Sequence, residues 1–155
     1  MLAFFCLYSD CAFCWTAQVV YVQDGDSLIV KRNNGQKEII RLYGIDCPEY
    51  KQPWGEEARS LAVALARKGS RIEVKPVGNR DAYNRIVAIV LTEKGKVLQE
   101  ELLRAGLAWF YARYCRTEEC SRWADLEQEA RKGQGLWQDS TALPPWLWKR
   151  INHKP

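Results

Sequence analysis

The chain has one histidine and no long apolar run. His153, in a tail rich in Lys and Arg, is the single histidine in 155 residues, which leaves acid–base catalysis by imidazole almost nothing to work with. No stretch reaches the roughly 18 to 20 apolar residues that span a bilayer. Low-complexity tracts and internal repeats are absent too. Neither charge sign dominates: 23 Lys and Arg against 19 Asp and Glu leave a net charge of +4. That interspersed balance permits a polyanionic partner without demanding one. With 47% hydrophobic residues the composition is that of a folded soluble protein rather than a disordered chain, and its length suits one domain with a core of its own.

Six cysteines form two sequence pairs, Cys11/Cys14 and Cys115/Cys120, with Cys6 and Cys47 single. A four-thiolate zinc site from the two pairs is disfavoured, because they lie far apart in the chain and the second spacing is loose. A local bridge between Cys115 and Cys120 in an oxidising compartment fits the spacing better, with free thiols as the alternative. Residues 1–17 read as a partial export leader. The stretch is largely apolar, but it has no basic start, Asp10 interrupts it, and Trp15 stands where a small residue is preferred before cleavage. A buried N-terminal segment is the other reading. The protein is therefore expected to be secreted, periplasmic or in the cell envelope, with a cytoplasmic location as the alternative.

Periodicity predicts three antiparallel strands over Val19–Val22, Ser27–Lys31 and Glu38–Tyr43, with Asn33-Asn34-Gly35 as a hairpin turn. An amphipathic helix follows over Gly55–Lys68, then strands over Arg71–Lys75 and Arg85–Leu91, then helices over Val97–Gly106 and Glu118–Lys132. Five strands with about three helices make a mainly β fold and suit a small closed barrel. Residues 18–138 form this domain. The tail, 139–155, carries Pro144-Pro145-Trp146-Leu147-Trp148, which reads as too Pro-rich for a helix and too aromatic for a free linker. It is expected to pack back on the domain.

The chemistry gathers around Arg41-Leu-Tyr-Gly-Ile-Asp46-Cys-Pro-Glu49, where a strand runs into a Gly-containing, Pro-stiffened loop. Asp24 and Asp26 flank Gly25 near the end of an earlier strand. Taken alone, Asp-Gly reads as a turn. Taken together, four carboxylates near strand ends offer the hard oxygen donors that Ca2+ or Mg2+ takes. Arg41 and Arg85 fall on strands, where a planar guanidinium fork can be held to clamp a phosphate; a solvated barrel face or an ion pair with a nearby Asp is the plainer reading. Metal, carboxylate and arginine together are what phosphodiester hydrolysis needs.

From about Val19 to Trp137 the chain resembles the staphylococcal-nuclease-like, or thermonuclease, family. The resemblance rests on Asp24-Gly-Asp-Ser27, Arg41 through Glu49, Asp81-Ala-Tyr-Asn-Arg85 and Gly106-Leu-Ala. The tail, with Gly135-Leu-Trp and Pro144-Pro-Trp-Leu-Trp, looks like that of exported bacterial members. The resemblance implies a five-stranded OB-fold barrel and Ca2+-dependent hydrolysis of DNA and RNA, single- or double-stranded, leaving a 3'-phosphate and a 5'-hydroxyl. One Ca2+ would be held by Asp26, Asp46 and the backbone carbonyl of Cys47. Glu49 would activate water, and Arg41 and Arg85 would bind the scissile phosphate. Tyr83 would contact a terminal phosphate and Tyr114 the base, with Tyr111 a weaker candidate. A monomer with no obligate protein partner is expected. Ala82, lysine in the founding member, and the short Tyr50–Trp54 segment depart from the pattern. The alternative is a catalytically silent OB-fold that binds nucleic acid or a protein, but Asp26, Arg41, Asp46, Glu49 and Arg85 are all present.

Overall fold

A computed structural model describes residues 13–152. Cys6, Cys11, His153 and most of the leader-like segment lie outside the described residues, and with them the zinc alternative that needs Cys11. The first strands are β1 (Trp15–Val22), β2 (Ser27–Arg32), β3 (Lys37–Leu42) and the short β4 (Ile45–Asp46). Helix α1 (Gly55–Leu65), β5 (Arg71–Pro76), β6 (Ile86–Thr92) and α2 (Leu98–Arg104) follow. The chain continues through β7 (Trp109–Phe110), α3 (Glu119–Ala130), a 3-10 turn (Gly135–Gln138) and α4 (Pro145–Asn152).

Five strands close a barrel in the order β1-β2-β3-β6-β5. All neighbours are antiparallel except β3 and β6, which run parallel. Alternation drives this: on β3, Glu38, Ile40 and Leu42 are buried while Lys37 and Ile39 are exposed. On β1 a bulge between Val19 and Tyr21 shifts the register, so the inward residues become Ala17, Val19 and Val22. The extra residue turns the strand end and aims the following Asp24–Asp26 loop. Trp15, Thr16 and Ala17, the end of the leader-like stretch, lie in β1 and pair with Val74, Glu73 and Ile72. Cleavage after Ala17 would remove most of the contact between β1 and β5.

β3 accompanies β6 only as far as Ala88. Beyond it, fully buried Gln99 on α2 acts as a strand edge: its Oε1 accepts from the Val90 N–H at 3.3 Å and its amide donates to the Ala88 carbonyl at 2.9 Å. Leu98, Leu102 and Leu103 of α2 and Trp123 of α3 complete the core. Cys115 and Cys120 are joined by a disulfide at the start of α3.

The tail corrects the sequence reading. Residues 145–152 are a helix, a fourth beside the three that accompany the barrel among the described residues. The prolines do not prevent it because they sit only at its start. Pro145 is the first helical residue, where the missing N–H has no partner to lose and φ is already set. The Leu147 N–H donates to the Pro144 carbonyl at 2.9 Å, and Lys149 and Arg150 sit in the last turn, where the helix dipole favours cations. Tail aromatics lie against the body of the protein: the Trp146 ring stacks on Tyr111 at 5.1 Å and 5° and meets the Trp109 ring edge-on at 6.1 Å.

Candidate active site

The barrel brings the Asp24–Asp26 loop directly onto the loop after β3. Ser27, next to Asp26, is the register partner of Arg41. The Asp26 carbonyl accepts from the Leu42 N–H at 2.8 Å, and its carboxylate accepts from the Cys47 N–H at 2.7 Å. Packing explains the glycine between the two aspartates. A Cβ on Gly25 would lie 2.7 Å from Cys47 Cβ and 2.9 Å from Ala58 Cβ. The dipeptide is thus more than a turn, since only glycine lets the two loops and α1 touch. The Cys47 side chain is buried, and its backbone is the part that faces Asp26.

Arg41 reaches both aspartates, with Nη1 2.9 Å from Asp26 Oδ2 and Nη2 2.6 Å from Asp46 Oδ1. Burial works against the charge on Arg41, but Asp26 and Asp46 outweigh it and leave its pKa above the ordinary value. One guanidinium does not balance the local carboxylates. Burial and the charge of Asp26 push Asp46 up to about 7 even with Arg41 beside it, and burial and Asp26 push Asp24 up to about 6. Among the described residues, no three His, Cys, Asp or Glu side chains converge as a ligand set. Asp26 and Asp46, which both contact the Arg41 guanidinium, are two carboxylates that could face a cation here.

Arg85 immediately precedes β6 rather than lying in a strand. It is held by its own turn. The Asp81 carboxylate accepts from the Arg85 N–H at 2.9 Å, from Arg85 Nε at 2.7 Å and from the Tyr83 N–H at 3.0 Å. Partial burial opposes ionisation of Asp81, but these hydrogen bonds from Arg85 and Tyr83 hold its pKa below the ordinary carboxylate value. Asn84 closes the turn at φ 60°, a left-handed conformation that Asn tolerates better than most residues. Tyr83 is 80% exposed, with the Arg85 guanidinium 5.4 Å from its ring centre.

Glu49 is fixed through its backbone. Its N–H donates to Gln52 Oε1 at 3.0 Å, and its carbonyl accepts from the Gln52 N–H at 2.8 Å. A Cβ on Gly55 would fall 2.0 Å from that carbonyl, so glycine is required there. Buried Gln52 also donates its amide to the Leu143 carbonyl at 2.6 Å, which ties the tail to this loop. The result is a contact that the sequence did not reveal: Lys149 Nζ of α4 lies 2.7 Å from Glu49 Oε1. No local signal pointed to Lys149 or Trp146, because reading the tail as non-helical gave no way to place either side chain.

Asp24, Asp26, Arg41, Asp46, Glu49 and Arg85 line one open cleft of about 360 Å3, joined by Tyr111, Trp146 and Lys149. Tyr111 is therefore the tyrosine that faces the cleft. Tyr114, 56% exposed, packs edge-on against Tyr111 at 4.8 Å, and neither it nor Tyr83 lines the cleft itself.

Residues 39–139 match the model of the staphylococcal nuclease homologue family. The chain is 36% identical over 134 residues to an uncharacterized endonuclease of Escherichia coli, covering 85% of this chain and 83% of that protein. It is 40% identical over 112 residues to the staphylococcal-like nuclease CAN1 of Arabidopsis thaliana, covering 72% of this chain and 33% of that protein. A probable staphylococcal-like nuclease of Oryza sativa subsp. japonica is 36% identical over 115 residues, 74% of this chain. The chain thus spans about a third of the length of these plant relatives and most of the length of the bacterial one. With a family match over well more than half its length, laid on a closed five-stranded barrel, the chain belongs to the staphylococcal nuclease-like family.

Proposed function

We propose that this protein is a Ca2+-dependent nuclease that hydrolyses phosphodiester bonds of DNA and RNA with little sequence preference. The observation that carries the reading is convergence: Asp26, Arg41, Asp46, Glu49 and Arg85 come from separate segments and line one cleft. A hard divalent cation fits the donor set. Asp26 and Asp46 point oxygens at the same guanidinium, and the carboxylate excess that raises Asp24 and Asp46 is what an added cation would relieve. With two carboxylates, the rest of its shell falls to backbone oxygen, the Cys47 carbonyl in our assignment, and to water.

When bound, Ca2+ supplies charge that polarises the scissile phosphate. The remaining work belongs to the chain. Glu49, on a loop pinned by Gln52, accepts the proton of the attacking water. Arg41 and Arg85 donate to the phosphate oxygens as charge builds on them, held beforehand by Asp26, Asp46 and Asp81. Expulsion of the 5'-oxygen leaves a 3'-phosphate and a 5'-hydroxyl. Tyr111, on the cleft wall, offers a face for sequence-tolerant base stacking. The Cys115–Cys120 disulfide supports an oxidising compartment for the protein. Incubation with plasmid DNA and with RNA in millimolar-scale Ca2+, with and without chelator, tests the reading. Degradation of both that stops on chelation is expected, and intact substrate in the presence of folded protein contradicts it.

A further inference from the structure

Among the described residues, Lys149 is the one cation of the cleft that a helix outside the barrel provides, and its situation differs from that of the two arginines. Arg41 is committed to Asp26 and Asp46, and Arg85 to Asp81 through its backbone as well as its side chain. Among the described residues Lys149 makes a single ion pair, to Glu49, and both side chains keep contact with solvent, at 47% and 36% exposure. Such a half-exposed pair contributes little stability and is exchanged at small cost. The backbone that carries it is anchored by the bond from Gln52 to the Leu143 carbonyl and by the stack of Trp146 on Tyr111. A compact ammonium on a flexible stem, rooted in a fixed helix, can swing while its base stays in place.

The charge of the cleft calls for such a group. Asp24, Asp26, Asp46 and Glu49 oppose Arg41, Arg85 and Lys149 across its lining. With every group charged the lining holds one more carboxylate than cations; without Lys149 the two arginines would face twice as many carboxylates, which doubles the net negative charge that a phosphodiester meets. Glu49 has the complementary difficulty, because a carboxylate held by an ammonium at 2.7 Å has that oxygen occupied when water needs it.

We propose that Lys149 is a substrate-binding residue that leaves Glu49 to contact a phosphate of the entering strand, so that binding of the polyanion itself frees the carboxylate. The substrate class rests on the nuclease reading; the contact does not depend on turnover. Lys149 is thereby a phosphate ligand contributed by the C-terminal helix, with Tyr111 and Trp146 as the aromatic seat that places it.

The test is equilibrium binding of a short dye-labelled oligothymidylate by fluorescence anisotropy in chelator, where hydrolysis does not proceed, across a range of salt. Lys149→Gln should bind about tenfold more weakly. The slope of log affinity against log salt should flatten by about 0.7, the release of one counterion from a single strand. Lys149→Arg should restore both. Lys94→Gln removes one positive charge from the turn after β6, at the other end of that strand from Arg85, and should change neither quantity as much. The proposal is overturned if wild type and Lys149→Gln bind with the same affinity and slope, including no binding by either, or if Lys94→Gln matches Lys149→Gln. Lys149-dependent binding by a protein that cleaves nothing in Ca2+ would leave this inference standing and remove the nuclease reading.

Discussion

The Cys47 N–H donates to Asp26 Oδ2 at 2.7 Å, joining the loop after β1 to the segment after β4 in a single hydrogen bond. That bond exists because Gly25 lets the loops close on each other. Gly25→Ala would force a Cβ to within 2.7 Å of Cys47 Cβ and is expected to cost about 1 to 3 kcal/mol of stability, as overpacking of a tight interior does. Urea unfolding measures the loss. Cleavage should fall with it, since both proposed cation ligands sit on the displaced loops.

The two arginines should separate in stability while sharing an activity defect. Removing Arg41 leaves Asp26 and Asp46 buried without their shared cation, so Arg41→Ala should lose about 3 kcal/mol or more. Arg85 pairs with Asp81, which water can take over. Arg85→Ala should therefore keep nearly wild-type unfolding while its kcat drops about 100- to 1,000-fold, the usual scale for losing one transition-state donor. A chemical melt alongside single-turnover cleavage distinguishes them.

Proton linkage gives a third expectation. Folding raises Asp46 to about 7 and Asp24 to about 6, above the usual unfolded value of about 3.9. The folded state thus binds these protons more tightly than the unfolded chain does. Their contribution is fully present below about pH 4 and is lost as pH rises to about 7. A cation held by the carboxylates reverses that loss. Thermal unfolding at pH 5 and pH 8 should show Ca2+ raising Tm more at the higher pH, and an equal shift at both would count against the assignment of Asp46 as a ligand.

Gln52 links the proposed base to the tail by accepting from the Glu49 N–H and donating to the Leu143 carbonyl. Gln52→Ala should lower stability by about 1 to 3 kcal/mol, because it leaves both backbone partners unsatisfied in a half-buried place. The same change should loosen α4. Limited proteolysis is expected to remove the segment from Leu143 onward faster in the variant than in wild type.

The barrel and the five charged residues were legible in the sequence because each announces itself locally. Strand alternation over Lys37–Leu42, the Asn34-Gly35 turn and the glycine stop before Leu107 depend on near neighbours, and the motif residues keep fixed spacing around them. Three features were not legible. The α4 helix was obscured by Pro144 and Pro145, whose effect depends on whether proline opens a helix or interrupts it. Lys149 and Glu49 meet only through the distant bond between Gln52 and Leu143. Gln99 looks like an ordinary polar helix residue until β3 leaves β6 without a partner for Val90. The last two are tertiary relations with no periodicity to betray them.

End-group analysis of a labelled oligonucleotide, cleaved by wild type and by Glu49→Gln in Ca2+ and in chelator, tests the assignment of this cleft most directly. Wild type with Ca2+ should yield fragments ending in a 3'-phosphate and beginning with a 5'-hydroxyl, at a rate that Glu49→Gln lowers by about 100-fold or more. Intact oligonucleotide with folded wild type, or the same cleavage by Glu49→Gln or in chelator, would contradict it.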